Sequence, residues 1–276
     1  MTVRVLGNDD LGALVDVVLT NPIENLFIGS RVKAGGLDPY TLGCEVWGFE
    51  RDGKLVALCH NGSNLVLANA DAEAVEAFAQ RIGPRSATAS IMGPAEPTLA
   101  LWRRLCQLWP RGWSAYRELR PDQPLMLLTN PSDVPPDPRV RVITFDDFDA
   151  YYAAAVAMYT EEVGVSPTFG GGDYRFYVQR LIRERMAFGI VEDGRVIFKA
   201  DVGASTGLFA QIQGVWLAPS HRGRGLSAPA MTAVDHLLTE RFRAVSLYVN
   251  SFNAPARAMY RRVGYVEIGT FATVLY

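Results

Sequence analysis

Residues 221–231 read HRGRGLSAPAM, with two arginines and two glycines in the four positions from Arg222 to Gly225. A strand-like stretch, VWLA, ends just upstream, and Pro229 suits the first turn of a helix that follows. A loop that leads into a helix N-terminus is a natural anion site. The first helical turn leaves N–H groups without intrahelical partners, and the helix dipole is positive there. Gly223 and Gly225 let the backbone approach a phosphate closely, and Arg222 and Arg224 can add charge-assisted hydrogen bonds to its oxygens. The spacing is neither that of a P-loop, G-x-x-x-x-G-K-[ST], nor the G-x-G-x-x-G of a dinucleotide fold. An ordinary exposed turn has the same composition, so the surrounding elements decide between the two readings.

Other reactive groups are sparse. His60, His221 and His236 have no partners at ligand spacing, so no metal site is expected. Cys44, Cys59 and Cys106 are odd in number and far apart, which fits reduced, mostly buried thiols better than disulfides. Trp102, Trp109 and Trp113 read as core packing, and the glycine run at 170–172 as either a lid or a plain flexible connection.

The elements that position the loop follow from hydrophobic periodicity. VRVITF (140–145) alternates like a strand, and DDFDAYYAAAVAMYTEE (146–162) reads as a helix with acidic residues in its first turn. YRFYVQRLIRER puts Tyr174, Tyr177, Val178, Leu181 and Ile182 on one helical face. MAFGIVED and RVIFKADVGA, joined at Asp193-Gly194, read as a hairpin, and LFAQIQGVWLA as the strand that feeds the RGRG loop. Beyond the loop come a helix with Met231, Val234, Leu237 and Leu238 at core spacing, a strand (AVSLYVN), a short helix (APARAMYRRV) and a closing strand or strand pair. The order is β-α-α-β-β-β-α-β-α-β. The first half repeats it more faintly, through VRVL, DDLGALVDVVL, the hairpin EVWGFERDGKLVAL, NLVLA, DAEAVEAFAQRI, ATASIMG and TLALWRRLCQLW, which suggests a diverged duplication carried by topology rather than by residues.

The chain of 276 residues is 49% hydrophobic and 20% charged, enough apolar material for two packed domains. The run NPSDVPPDPR (130–139), with four prolines, is the clearest seam. The expected organisation is therefore residues 1–130, a Pro-rich linker at 131–138, and residues 139–276. A net charge of −2 and the lack of a basic run argue against nucleic acid as a partner. No apolar stretch is long enough for a membrane span and the N-terminus carries no signal-peptide pattern, so the expected location is the cytoplasm.

With strand, glycine-rich loop and helix in this order, the second half resembles the GNAT superfamily of acyl-CoA-dependent N-acyltransferases. The family's pyrophosphate loop reads Q/R-x-x-G-x-G/A, and Arg222-Gly223-Arg224-Gly225-Leu226-Ser227 matches it except that Ser227 stands where the family has Gly or Ala. VWLAP and SLYVN–SFNAPARAMYRRVGY match two further family segments. The resemblance covers residues 139–276 in element order, with its sharp motifs between 211 and 265. It implies an α/β fold with a mixed sheet, as two GNAT-like domains in tandem of which the C-terminal one is complete and the first lacks a counterpart to RGRGLS.

The resemblance further implies acetyl-CoA as co-substrate, held by Arg222 to Ser227, by the backbone of Val215, Trp216 and Leu217, and by Asn253. Tyr260, seven residues after Asn253, falls where the family often places the acid that protonates the departing thiolate. The glutamate that many members use as base corresponds here to Gln211, which cannot take that role. Gln211 and Gln213 share a strand face by their spacing and are assigned to acceptor binding. Glu161 and Glu162, at the end of the first helix, are candidates for a base or for cradling a cationic amine, against the alternative of a solvated helix end; Asp201 is a third candidate base. The reading is an acetyl-CoA-dependent N-acetyltransferase that acts on a primary amine of unknown identity. The alternatives are a non-catalytic acyl-CoA sensor and an aminoacyl transferase that uses charged tRNA.

Overall fold

The computed structural model describes residues 2–85, 87–130, 132–168 and 173–276. The glycine run at 170–172 lies outside the described residues. The first half runs β1 (Thr2–Val5), α1 (Leu11–Thr20), α2 (Leu26–Gly35), α3 (Pro39–Leu42), β2 (Glu45–Arg51), β3 (Lys54–Asn61), β4 (Asn64–Ala68), α4 (Ala72–Ile82), β5 (Ser90–Pro94), α5 (Ala95–Leu108), α6 (Pro110–Trp113) and β6 (Glu118–Leu128). The second runs β7 (Arg141–Val142), α7 (Phe148–Val163), α8 (Asp173–Arg183), β8 (Ala187–Glu192), β9 (Arg195–Ser205), β10 (Phe209–Leu217), α9 (Ser227–Thr239), β11 (Ala244–Tyr248), α10 (Ala254–Arg262) and β12 (Tyr265–Leu275). The order expected for the second half is the order found. Asp193 and Gly194 both have positive φ, 48° and 70°, which gives the two-residue turn the twist a tight hairpin needs.

Among the described residues all twelve strands join one mixed sheet in the order β1-β2-β3-β4-β5-β12-β6-β11-β10-β9-β8-β7. The arrangement is symmetric about its centre. β6 closes the first half yet pairs with β11 and β12, and β12 closes the second half yet pairs with β5 and β6. Each half thus inserts its last strand between the last two strands of the other. β6 escapes periodicity analysis because Pro121 and Pro124 interrupt its sequence, ELRPDQPLMLL. Both prolines lie outside the β11 ladder, which covers only Leu125–Leu127, so their missing N–H groups cost the sheet little there.

The duplication also reaches the residues, contrary to the expectation that topology alone carries it. Val3-Arg4-Val5 and Val140-Arg141-Val142 begin the two halves, and Asp9-Asp10 and Asp146-Asp147 follow at the same spacing. In each half the arginine grips the second aspartate with two N–H groups, Arg4 on Asp10 at 2.8 and 2.6 Å and Arg141 on Asp147 at 2.7 and 2.8 Å. Each aspartate also accepts the N–H three residues earlier, from Gly7 and Thr144, and so caps the short 3-10 turn that leads into α1 or α7.

The Pro-rich segment is packed against the second half. Val134 is buried in that half's core, Asp137 N–H donates to the Pro229 carbonyl at 3.0 Å, and Thr232 bonds Ser132. That core gathers Met231, Val234 and Leu238 of α9 with residues of β8–β11. A separate cluster joins Tyr151 and Ala155 of α7 to Val178, Leu181 and Ile182 of α8.

Candidate active site

β10 and β11 run parallel and pair from Phe209↔Ala244 to Ile212↔Leu247, and there the pairing ends. Beyond Ile212 the two strands diverge, which leaves the β11-facing edge of residues 213–217 without a strand partner. A bulge drives the divergence. The register with β9 jumps between Gln213 and Trp216, and Gly214 between them has φ +59°. A Cβ on Gly214 would lie 2.9 Å from Asp201 Oδ2 and 3.0 Å from Lys199 Nζ, so only glycine fits this crossing. Val215, Trp216 and Leu217 form the free edge, and all three are half-buried. β4 and β5 repeat this plan, since their parallel pairing spans only Asn64↔Ser90 and Leu65↔Ile91.

At the end of β10 a short 3-10 turn (Pro219–His221) leads into Arg222-Gly223-Arg224-Gly225, and α9 begins at Ser227. Gly223 and Gly225 have φ of +73° and +74°. Among the described residues nothing lies within 4 Å of a Cβ built on either, so the loop faces open space there. Among the described residues the N–H groups of Gly225, Leu226, Ser227 and Ala228 have no acceptor, and α9 has no side-chain N-cap. Four orphan donors and the positive end of a 13-residue helix meet beside two unobstructed glycines. That donor set suits a pyrophosphate.

The two loop arginines differ in their surroundings. Arg222 donates through Nη1 and Nη2 to both carboxylate oxygens of Glu161, at 2.7 and 2.8 Å, and through Nε to the Leu217 carbonyl at 2.9 Å. Trp216 Nε1 donates to the same carboxylate at 3.1 Å. Glu161 therefore ties the last turn of α7 to β10 and to the loop, and Arg222 holds its carboxyl below the usual carboxylate range, with Trp216 adding to the effect. Arg224 has no carboxylate within 4 Å among the described residues.

Glu162, one residue on, sits 3.5 Å from Arg120 of β6 and is half-exposed, while its backbone carbonyl accepts from Arg120 Nη2 at 2.8 Å. Tyr260 on α10 is buried, 6% exposed, with its ring against Tyr265, and its hydroxyl makes no hydrogen bond among the described residues. Burial pushes that hydroxyl above the usual tyrosine range, and the carboxylates of Glu162 and Asp235 add to the push. Asn253 caps α10, its side chain accepting the Ala256 N–H at 3.2 Å. Gln211 is buried within β10, whereas Gln213, just before the bulge, is exposed and donates to the Tyr177 hydroxyl of α8. Equal spacing thus does not give these two glutamines equal access.

A residue that periodicity did not single out lies directly under the bulge. Lys199 is fully buried; its Nζ donates to Asp201 Oδ2 at 2.6 Å and to the Gly214 carbonyl at 2.9 Å. Tyr151 of α7 donates to Asp201 Oδ1 at 2.5 Å. Burial, then the Asp201 charge, drives the Tyr151 hydroxyl far above its usual range, so it stays a donor. Both Asp201 oxygens are committed, and the ammonium they hold turns the Gly214 carbonyl inward. Lys199 and Asp201 alternate on one strand face in RVIFKADVGA, which was the available signal.

No helix among the described residues is long and apolar enough to cross a membrane. Nor does any group of three or more His, Cys, Asp and Glu side chains there come together to hold a metal ion. The three cysteines are free.

Residues 155–265 match the model of the Acetyltransferase (GNAT) family, and residues 44–151 match a domain of unknown function, DUF4081. No curated protein matches. Among solved structures, an acetyltransferase of the GNAT family from Colwellia psychrerythraea superposes with a TM-score of 0.59 at 14% identity over 100% of both chains. A GCN5-related N-acetyltransferase from Sphaerobacter thermophilus gives 0.60 at 18% identity, covering 99% of this chain and 94% of its own. A tandem GNAT protein of the clavulanic acid biosynthesis pathway gives 0.53 at 14%, covering 99% and 97%. At these identities the likeness is one of fold.

Proposed function

Because its C-terminal half is a domain of the acetyltransferase (GNAT) family, we propose that the protein transfers an acetyl group from acetyl-CoA to a primary amine. One observation carries the proposal: the splayed edge of β10 ends in a loop with a run of orphan N–H groups and two open glycines. The N–H groups of Gly225 to Ala228, with Arg224, would take the pyrophosphate. The backbone of Val215, Trp216 and Leu217 would pair with the pantetheine arm as a strand does, with Asn253 at the opposite wall. Arg222, beside the same loop, also ties it to α7 through Glu161. The protein would work in the cytoplasm, where three free thiols stay reduced.

Acetyl-CoA is a substrate here and supplies an activated acyl group. The chain orients the thioester along β10, and an inward-turned Gly214 carbonyl leaves neighbouring N–H groups, near Leu217, to face the developing oxyanion. The amine nitrogen attacks the carbonyl carbon, and the C–S bond breaks. Tyr260, held protonated by burial, gives its proton to the departing sulfur and recovers one from the acceptor's nitrogen or from water. Gln211 leaves the usual base position vacant, Asp201 is fully bonded, Glu161 is paired with Arg222, and Glu162 lies 3.5 Å from Arg120. The acceptor is then used in its neutral form, supplied by its own equilibrium, as for an α-amino group with a pKa of about 7.7–8.0.

Thiol release with a panel of amines tests this. The rising limb of kcat/KM against pH should track the acceptor's pKa when the acceptor is changed. Tyr260→Phe should lower kcat about 10- to 100-fold with the Kd for acetyl-CoA unchanged. A limb that stays put across acceptors would reveal an enzymic base. The vacant base position also favours a second reading, a sensor that binds acetyl-CoA without turnover, and an inert panel with intact binding would select it.

A further inference from the structure

The first half has a cleft of its own where β4 and β5 part. Their parallel pairing stops at Leu65↔Ile91, as that of β10 and β11 stops at Ile212↔Leu247. A cavity of about 390 Å³ opens there, with room for a small organic ligand. Asn21 and Glu24, from the connection between α1 and α2, line one side, and Pro94 and Glu96, at the start of α5, line another. Asn69, just after β4, and Thr270 of β12 also line it. α1 and α2 pack on one face of the sheet and α4 and α5 on the other, so the two carboxylates come from elements on opposite faces.

This cleft does not suit a pyrophosphate. Only Asn69, Ala70 and Asp71 join β4 to α4, and the Asp71 carboxylate already accepts the Ala74 N–H at 3.0 Å. The helix end that would attract an anion is thus taken by one. The lining has the opposite preference. Among the described residues no Lys, Arg or His lines the cavity, and its two charged groups are Glu24 and Glu96. Glu24 Oε2 accepts from Asn21 Nδ2 at 3.0 Å, and Oε1 leans over β12, 3.4 Å from where a Cβ on Gly269 would stand. Burial pushes the Glu24 carboxyl above the usual carboxylate range, as befits a partly desolvated carboxylate with no cation beside it. Two buried oxygens next to the lining also lack partners among the described residues. Asn25, 2% exposed, donates through Nδ2 to Asn69 Oδ1 at 3.0 Å, and its own Oδ1 is unpaired. Thr98, equally buried, turns an unpaired Oγ1 toward the split: it lies 3.4 Å from the Cβ position of Gly93, which also faces Val66 and Leu67 of β4. Unpaired buried oxygens and carboxylates are a set that calls for donors.

We propose that the cleft between β4 and β5 binds a small organic cation bearing primary ammonium groups, such as a short aliphatic diamine. An ammonium carries positive charge and three N–H donors, which match Glu24, Glu96 and the unpaired oxygens beside them. The duplication has then left the chain with two clefts of opposite preference: the donor-lined loop before α9 and the acceptor-lined split of β4 and β5. The claim concerns binding to the first half, and it stands whether or not the second half transfers an acetyl group.

The test is calorimetric titration of the full chain with putrescine, beside the neutral diol of the same chain length and potassium chloride as an inorganic cation. Putrescine should bind at least tenfold more tightly than either, as expected for charge-assisted contacts. Glu24→Gln and Glu96→Gln, both outside the buried core, should each weaken it about tenfold, with the melting temperature and acetyl-CoA affinity unchanged. Hydrogen exchange with putrescine present should slow at residues 21–25 and 94–98. The reaction proposed above itself takes an amine, but an amine held at the acceptor site of the second half would keep its affinity in both variants. Equal uptake of the diol, no uptake of putrescine, potassium bound as tightly, protection confined to the second half, or an affinity indifferent to both substitutions would overturn the cation cleft. If acetyl-CoA fails to bind, the acyltransferase reading falls, and the putrescine titrations still decide the cleft.

Discussion

Asp235 is the residue whose ionisation should be most visible in the stability of the protein. It is buried in α9, accepts the Tyr265 hydroxyl at 2.6 Å, and among the described residues its second oxygen has no partner. Burial raises its pKa to about 8, against a smaller downward pull from Tyr265. The folded state thus binds the proton more tightly than the unfolded chain does. The support this gives is complete below the unfolded pKa of about 4 and is lost as pH rises through about 8, a loss on the order of a few kcal/mol. Asp235→Asn should therefore melt above wild type at pH 9, with most of that advantage gone at pH 5. Parallel melting curves for the two proteins across that range would show that the carboxyl is not held neutral. Legibility at this scale was uneven. The RGRG loop stands out because its glycines need positive φ, a demand written into residue type. Lys199 is fainter, because its spacing from Asp201 hints at a pair on one strand face but not at the Gly214 carbonyl that the pair holds.

At the scale of elements, the β10 bulge depends on a buried ion pair beneath it. Removing one partner of such a pair leaves the other charge uncompensated, which typically costs about 3–5 kcal/mol, while replacing both by apolar residues is often neutral. Lys199→Met alone should therefore unfold readily. Lys199→Met/Asp201→Val should recover most of the stability but lose the grip on the Gly214 carbonyl, so kcat should fall about tenfold with acetyl-CoA affinity nearly unchanged. Wild-type kcat in that double variant would detach the bulge from the ion pair. The elements of the second half were readable because each has a clean period and a clear stop. α2 and α3 were not, since Gly29, Gly35 and the interrupted sequence between Leu26 and Leu42 blur any helical period. β6 was missed for its two prolines, which are tolerated where the β11 ladder is absent.

At the scale of the whole molecule, the exchange of last strands makes the halves interdependent. Without β6, residues 139–276 would leave β11 and β12 with a strand-wide gap between them and two exposed edges. That segment alone should be insoluble or unfolded, and co-expression with residues 1–130 should restore a folded complex. A stable monomer of residues 139–276 would contradict the interdependence. Hydrophobic period tells which segments are strands but not which strands pair, so the exchange was invisible in the sequence, although the repeated Val-Arg-Val and Asp-Asp pairs were in plain sight. The interdependence also gives the first half a reason to stay folded.

The most direct test of the central claim is calorimetric titration of the full chain with acetyl-CoA, wild type against Gly225→Glu. Among the described residues no atom lies within 4 Å of a Cβ at Gly225, which leaves room for the side chain, although φ of +74° strains any L-residue there. The carboxylate would occupy the space assigned to pyrophosphate. Binding to wild type in the micromolar range, abolished in a variant that still melts cooperatively, is the predicted result. A wild-type protein that takes up no acetyl-CoA, or a folded Gly225→Glu variant that binds it as well as wild type, would contradict the account.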